Sequence, residues 1–158
     1  MIRISQMDEA HAREIALWRY PGIYEQYSFQ FTKETIGHLL NGSYFFVEDD
    51  EDGLIGLFCF GPSARIPVLD EAATYTPDAL DIGLGLRPDL CGKGIGTSFL
   101  QIAMEVGQKL LSPPRYRLSV AAFNLRAISV YRRCGFVTQK VEQNIISGQS
   151  YYIMVCEQ

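Results

Sequence analysis

Residues 81–96 constrain this chain more than any other stretch. They read Asp81-Ile82-Gly83-Leu84-Gly85-Leu86, then Arg87-Pro88-Asp89-Leu90-Cys91, then Gly92-Lys93-Gly94-Ile95-Gly96. The first six suit a strand, and Pro88, which lacks a backbone donor, forbids that strand from continuing. An amphipathic run follows from Thr97 to about Leu110. Strand, glycine turn and helix start together describe an anion site. Glycines let backbone N–H groups come close to a phosphate, and the first turn of a helix offers unpaired N–H donors at the positive end of its dipole.

Three nucleotide-binding motifs produce such a turn. A phosphate loop of the G-x-x-x-x-G-K-[ST] kind fails, because Lys93 has glycine on both sides. A dinucleotide fingerprint needs G-x-G-x-x-G tight against the strand end and an acidic residue about 20 positions on. Here the glycines are spaced G-x-G-x-G, Arg87 to Cys91 intervene, and the helix runs into Ser112-Pro113-Pro114. The third motif fits. The stretch resembles the pyrophosphate loop of the GNAT acetyltransferases, [QR]-x-x-G-x-[GA] after a strand that often begins Glu-Ile-Gly. The match is at Asp81-Ile82-Gly83, Leu86, Pro88, Gly94 and Gly96, and it departs at Cys91, where the family carries Gln or Arg.

The resemblance strengthens at Asn124, Ala127, Tyr131, Gly135 and Phe136, which supply every fixed position of the family's N-x-x-A-x-x-x-Y-x-x-x-G-F. The two motifs span residues 81–136 in the family's order. The resemblance implies that the pyrophosphate of acetyl-CoA lies on the backbone of Cys91, Gly92, Lys93, Gly94, Ile95, Gly96 and Thr97. It implies that the pantetheine arm pairs beside Leu84, Gly85 and Leu86, in a gap where this strand splays from residues 115–122, and meets Asn124 and Ala127. The Leu86 N–H then polarises the thioester carbonyl, a role that a backbone donor can fill. Tyr131 sits near the sulfur, as general acid to the departing thiolate or as a packing phenol.

At 158 residues the chain reads as one domain over 1–158, and a 47% hydrophobic composition suits a globular core. No run approaches about 18 apolar residues, and the first residues lack a signal-peptide core, so no membrane association and a cytoplasmic protein are expected. Cys59, Cys91, Cys134 and Cys156 have no C-x-x-C spacing and read as buried free thiols. A net charge of −4 attracts neither nucleic acid nor anionic membrane.

In order, the chain reads as a strand over 2–5, a helix over 8–20 stopped by Pro21-Gly22, an aromatic segment over 23–31 without periodicity, and a helix capped by Thr32. Strands over 44–47 and 54–60 enclose the acidic run 48–52, which reads as a hairpin turn rather than a metal site. Residues 62–77 carry no periodic cue. After the central strand and helix come a strand over 115–122, a short helix capped by Asn124, and a hairpin of 136–141 with 151–155. The fold expected is α/β (α+β), the GNAT fold, with a central mixed, mostly antiparallel sheet of about seven strands flanked by helices.

Asp81 stands where many relatives carry Glu. It reads either as a water-relayed base for the acceptor amine or as an anchor of the strand start. Some ribosomal-protein acetyltransferases carry a catalytic Glu five residues before the motif's Asn, and this chain has Ser119 there. His38 reads as a surface or packing residue, and Tyr24, Glu25 and Tyr27 lie where the family's acceptor wall usually falls, as pocket lining or as core. No metal site is expected. The function expected is direct acetyl transfer from acetyl-CoA to a small-molecule or peptide amine in a ternary complex. The alternative is a GNAT-fold domain that holds CoA without turnover. The acceptor wall, over 20–31 and 62–78, has no pattern that names the amine, and nothing in the sequence sets the oligomeric state.

Overall fold

A computed structural model describes residues 1–157. The strands are β1 (Ile2–Gln6), β2 (Tyr44–Asp49), β3 (Gly53–Phe60), β4 (Leu80–Leu86), β5 (Arg115–Ala121), β6 (Val137–Gln143) and β7 (Ser150–Glu157). The helices are α1 (Glu9–Ala16), α2 (Lys33–Leu39), α3 (Glu71–Thr74), α4 (Gly96–Leu111) and α5 (Leu125–Arg133). The seven strands form one sheet in the order β1-β2-β3-β4-β5-β7-β6. Pairing is parallel between β4 and β5 and antiparallel in β1/β2, β2/β3, β5/β7 and β6/β7. The sheet is therefore mixed and mostly antiparallel, as expected. The chain groups into two compact units, Met1–Cys59 with Leu84–Lys93, and Phe60–Gly83 with the chain from Gly94 onward.

In the first unit, α1 buries Ala12, Ile15 and Ala16 at helical spacing, and the Asp8 carboxylate caps it by accepting the His11 N–H at 2.9 Å. The helix stops at Ala16, short of the expected Tyr20. One guanidinium explains the early stop. Arg19 Nη1 donates to the carbonyls of Ala16 at 2.9 Å, Trp18 at 2.7 Å and Phe29 at 2.9 Å. Carbonyls that another helical turn would satisfy are answered by a side chain, and the chain is tied to Phe29 instead. The aromatic segment forms a 3-10 helix over Gly22–Tyr27. The acidic run is a hairpin turn, in which Asp49 Oδ2 accepts the N–H groups of Glu51 at 3.2 Å and Asp52 at 3.1 Å.

In the second unit, α4 presents buried Phe99, Leu100, Ala103 and Gly107. A Cβ on Gly107 would stand 3.1 Å from Leu80 Cδ2 and 3.3 Å from both the Phe60 and Tyr116 rings, so the helix lies close because that position has no side chain. Ser112 ends α4 in the left-handed region, φ 43°, before the two prolines. The stretch over 62–77 is less irregular than its sequence suggested. It holds a 3-10 turn at Gly61–Ala64 and the one-turn helix α3, capped by Asp70. None of the four cysteines is in a disulfide. Cys59 and Cys156 are buried, but Cys91 and Cys134 are part-exposed, unlike the uniformly buried thiols expected.

Candidate active site

In the first unit, β4 ends at Leu86, and Arg87 turns the chain. The Arg87 N–H donates to the Ile55 carbonyl at 2.9 Å, while its guanidinium reaches the carbonyls of Asp52 at 2.7 Å and Leu54 at 3.0 Å. The same guanidinium pairs with Asp89 at 2.7 Å. Its hydrogen bond holds the exposed Asp89 carboxyl below the usual range. These contacts fix the strand end against β3. Neighbouring residues of a strand turn their N–H and C=O groups to opposite edges. With Arg87 bonded to β3, the Leu86 N–H and C=O face the other edge.

The hydroxyl of Tyr20 donates to that Leu86 carbonyl. Burial pushes the Tyr20 hydroxyl well above the ordinary phenol range. A Cβ on Gly85 would meet Leu57 Cδ2 at 2.7 Å and the Tyr20 hydroxyl at 3.9 Å, so a side chain there would have to displace the tip of Leu57. The Cys91 thiol lies 3.9 Å from the Leu86 carbonyl and 3.7 Å from that of Arg87. In the sequence Tyr20 stood out only as the end of the first helix and the edge of the expected acceptor wall, because its partner lies 66 positions away.

In the second unit, the glycine turn enters α4. Gly94 has φ +82°, which only glycine adopts without strain, and a Cβ there would meet nothing within 4 Å. Ile95 holds the N-cap position with no side-chain cap, so the first-turn N–H groups of α4 are left to another acceptor. Gly96 and Thr97 pack onto α5: a Gly96 Cβ would stand 3.1 Å from Val130 Cγ2, and the Cys134 thiol reaches the Thr97 carbonyl at 3.8 Å. The start of α4 is thereby brought against the helix that carries the second motif. Asn124 caps α5 by accepting the Ala127 N–H at 3.1 Å, and Tyr131 is half-buried with its ring 6.3 Å from that of Phe136.

Asp81 lies in the same unit, but not free. Arg117 Nε and Nη2 donate to its two oxygens at 2.6 and 2.8 Å, and Arg65 Nε donates at 2.9 Å. Asp81 and Arg117 are each 2% exposed, and both guanidinium groups lie over the Tyr75 ring, 5.3 Å away for Arg65 and 5.2 Å for Arg117. The Tyr75 hydroxyl accepts the Ile66 N–H at 3.1 Å and is hydrogen-bonded to Ser119 at 2.7 Å. Ser119 thus serves this buried network.

The histidines are engaged elsewhere. His38 is exposed, 3.2 Å from the Tyr44 hydroxyl. His11 stacks on Phe46 at 3.7 Å and bridges Asp8 at 2.7 Å and Glu48 at 2.9 Å. Burial pushes Cys134 and Cys156 above the ordinary thiol range. Among the described residues, no group of three or more His, Cys, Asp or Glu is placed to hold a metal, and no helix is long and apolar enough to cross a membrane.

Comparison with known proteins adds three findings. The profile of the acetyltransferase (GNAT) family matches residues 10–136. The spermidine N(1)-acetyltransferase of Vibrio cholerae is 27% identical over 107 residues, covering 66% of this chain and 56% of that enzyme, so the match spans little more than half of its length. Among solved structures, a spermidine N-acetyltransferase chimera from Vibrio cholerae and hSSAT superposes with TM-score 0.74 at 22% identity, covering 99% of this chain and 95% of that one. The Vibrio cholerae enzyme in complex with CoA and spermine gives TM-score 0.70 at 21% identity, with coverage of 99% and 95%. A GNAT-family acetyltransferase of Bacillus anthracis gives 0.74 at 16%, with coverage of 99% and 94%. The profile match over most of the chain, together with a shared fold, shows that this chain belongs to the GNAT acetyltransferase family.

Proposed function

We propose that the chain works as a single catalytic domain that transfers acetyl from acetyl-CoA to an amine by direct attack in a ternary complex. The observation that carries this reading is the continuous run from Leu84 to Thr97. It joins a strand end with edge-facing backbone donors to a glycine turn and an uncapped helix start. The pyrophosphate is assigned to the N–H groups of Cys91 through Thr97, where a helix dipole and open space at Gly94 favour an anion. Cys91 contributes through its backbone. The pantetheine arm is assigned to Leu84, Gly85 and Leu86, beyond the two β4 positions, Leu80 and Asp81, that pair with β5. Asn124 and Ala127 are assigned to the same arm, although the Asn124 oxygen and the Ala127 N–H also serve as the α5 cap.

In the reaction the amine nitrogen attacks the thioester carbonyl carbon, whose oxygen is stabilised by the Leu86 N–H. The C–N bond forms, the C–S bond breaks, and the electron pair leaves on sulfur. Tyr131 gives that sulfur its proton and regains one from the amine by way of solvent, so an amide and a free thiol result. A thiol of pKa ~8.5 and a phenol near ~10 make this proton transfer uphill by about 2 kcal/mol. The acceptor must also lose a proton first, which costs about 4–5 kcal/mol for a lysine-like amine at pH 7. Asp81 is poorly suited to help, because guanidinium N–H groups engage both its oxygens. We assign it to anchoring the strand start. The net charge of −4 favours a cationic acceptor, and the named relatives make spermidine and spermine the first amines to test. Thiol release from acetyl-CoA that depends on the amine supports the reading. CoA binding without turnover for any amine would favour a domain that only holds the cofactor.

A further inference from the structure

The Tyr20 hydroxyl has one proton, and a carbonyl oxygen has none to give. In the Tyr20–Leu86 hydrogen bond the polarity is therefore fixed, with the phenol donating and Leu86 accepting. What remains on the Tyr20 oxygen is lone pairs. Tyr20 is held in this pose from both sides of its backbone: its N–H donates to Ser28 Oγ at 2.9 Å, and the preceding Arg19 ties Ala16 and Trp18 to Phe29. The Leu86 carbonyl belongs to the residue whose N–H is assigned to the thioester oxygen, and on that assignment the phenol oxygen would lie on the side of the strand end where the acetyl group binds.

We propose that Tyr20 is a specificity-determining residue of the transfer site, whose oxygen accepts a hydrogen bond from the N–H of the attacking amine. This rests on the acetyl-transfer reading and deepens it. A site closed by an oxygen that can only accept selects a group that donates, an amine, and disfavours carboxylates and ethers. Closing the Leu86 carbonyl also ends the row of strand-edge acceptors there, which separates the cofactor's part of the edge from the acceptor's.

The test is initial-rate thiol release by the full chain and by Tyr20→Phe, with spermidine, spermine and simple primary amines as the varied acceptor. The expected result is a KM for the amine raised about tenfold in Tyr20→Phe, well beyond any change in the KM for acetyl-CoA. A purely structural role would instead move both KM values alike. An unchanged amine KM, or equal changes for both substrates, overturns the assignment alone. No amine-dependent release by the unmodified chain overturns the acetyl-transfer reading and this assignment with it. Should Tyr20→Phe not fold, inhibition of the unmodified chain by the alcohol and the methyl ether of the best amine's skeleton decides. The alcohol, which can donate, is expected to compete and the ether is not; equal inhibition overturns the proposal.

Discussion

Asp81, Tyr131 and His11 each carry a prediction that belongs to a single side chain. Removing the Asp81 charge leaves Arg117 buried without its counter-ion, and breaking such a pair costs about 3–5 kcal/mol. Denaturant unfolding of Asp81→Asn is expected to show a loss of that size, and wild-type stability would make the pair incidental. Tyr131→Phe keeps the ring and its packing on Phe136. If the hydroxyl protonates the leaving thiolate, turnover falls about 10²-fold with acetyl-CoA affinity unchanged. A packing tyrosine would lose about 1 kcal/mol of stability and keep its turnover. At His11, burial opposes the charged form, but the hydrogen bonds of Glu48 and Asp8 outweigh it and hold the imidazole above its ordinary value. Folding thus favours the protonated ring. Its contribution is fully present below the unfolded value of about 6.5 and is lost as pH rises through the raised one. Glu48 and Asp8 are lowered, so their contribution is lost instead in acid. Melting temperature is expected to fall as pH rises above about 6.5, and less so in His11→Gln. Equal pH dependence in the two proteins would show that the cluster is not coupled to folding.

At the scale of elements, the turn into α4 carries its own test. Val at Gly94 must adopt φ +82° and fill space that the glycine leaves open. CoA should then cease to raise the melting temperature of a Gly94→Val protein that still folds, and unchanged stabilisation would remove the loop from the cofactor site. Elements whose signal is local were legible in the sequence. Thr32 and Asn124 were readable as caps because each N-cap partner lies three residues away. The hairpin turn at Asp49 to Gly53 and the αL stop at Gly135 follow from the same short-range chemistry. Where a distant partner decides, the sequence was silent. The end of α1 depends on the reach of Arg19 to Phe29, and the 62–77 stretch is ordered in part by the Tyr75 hydroxyl on the Ile66 N–H. Periodicity cannot report either contact.

For the whole molecule, seven strands in mixed order and the two GNAT motifs were readable because the motifs are contiguous and sit on a strand, a turn and two helices. The long-range side-chain contacts were not. Tyr20 meets Leu86 across 66 positions and Arg117 meets Asp81 across 36, distances at which a single sequence offers no pairing signal. The acceptor amine was not legible either, since the segments expected to form its wall, 20–31 and 62–78, carry no local pattern. Direct transfer within a ternary complex is tested by initial rates of thiol release over a grid of acetyl-CoA and amine concentrations. It gives lines that intersect in double-reciprocal form and no burst of thiol when amine is omitted. Parallel lines with an amine-independent burst would reveal an acetylated enzyme and contradict it.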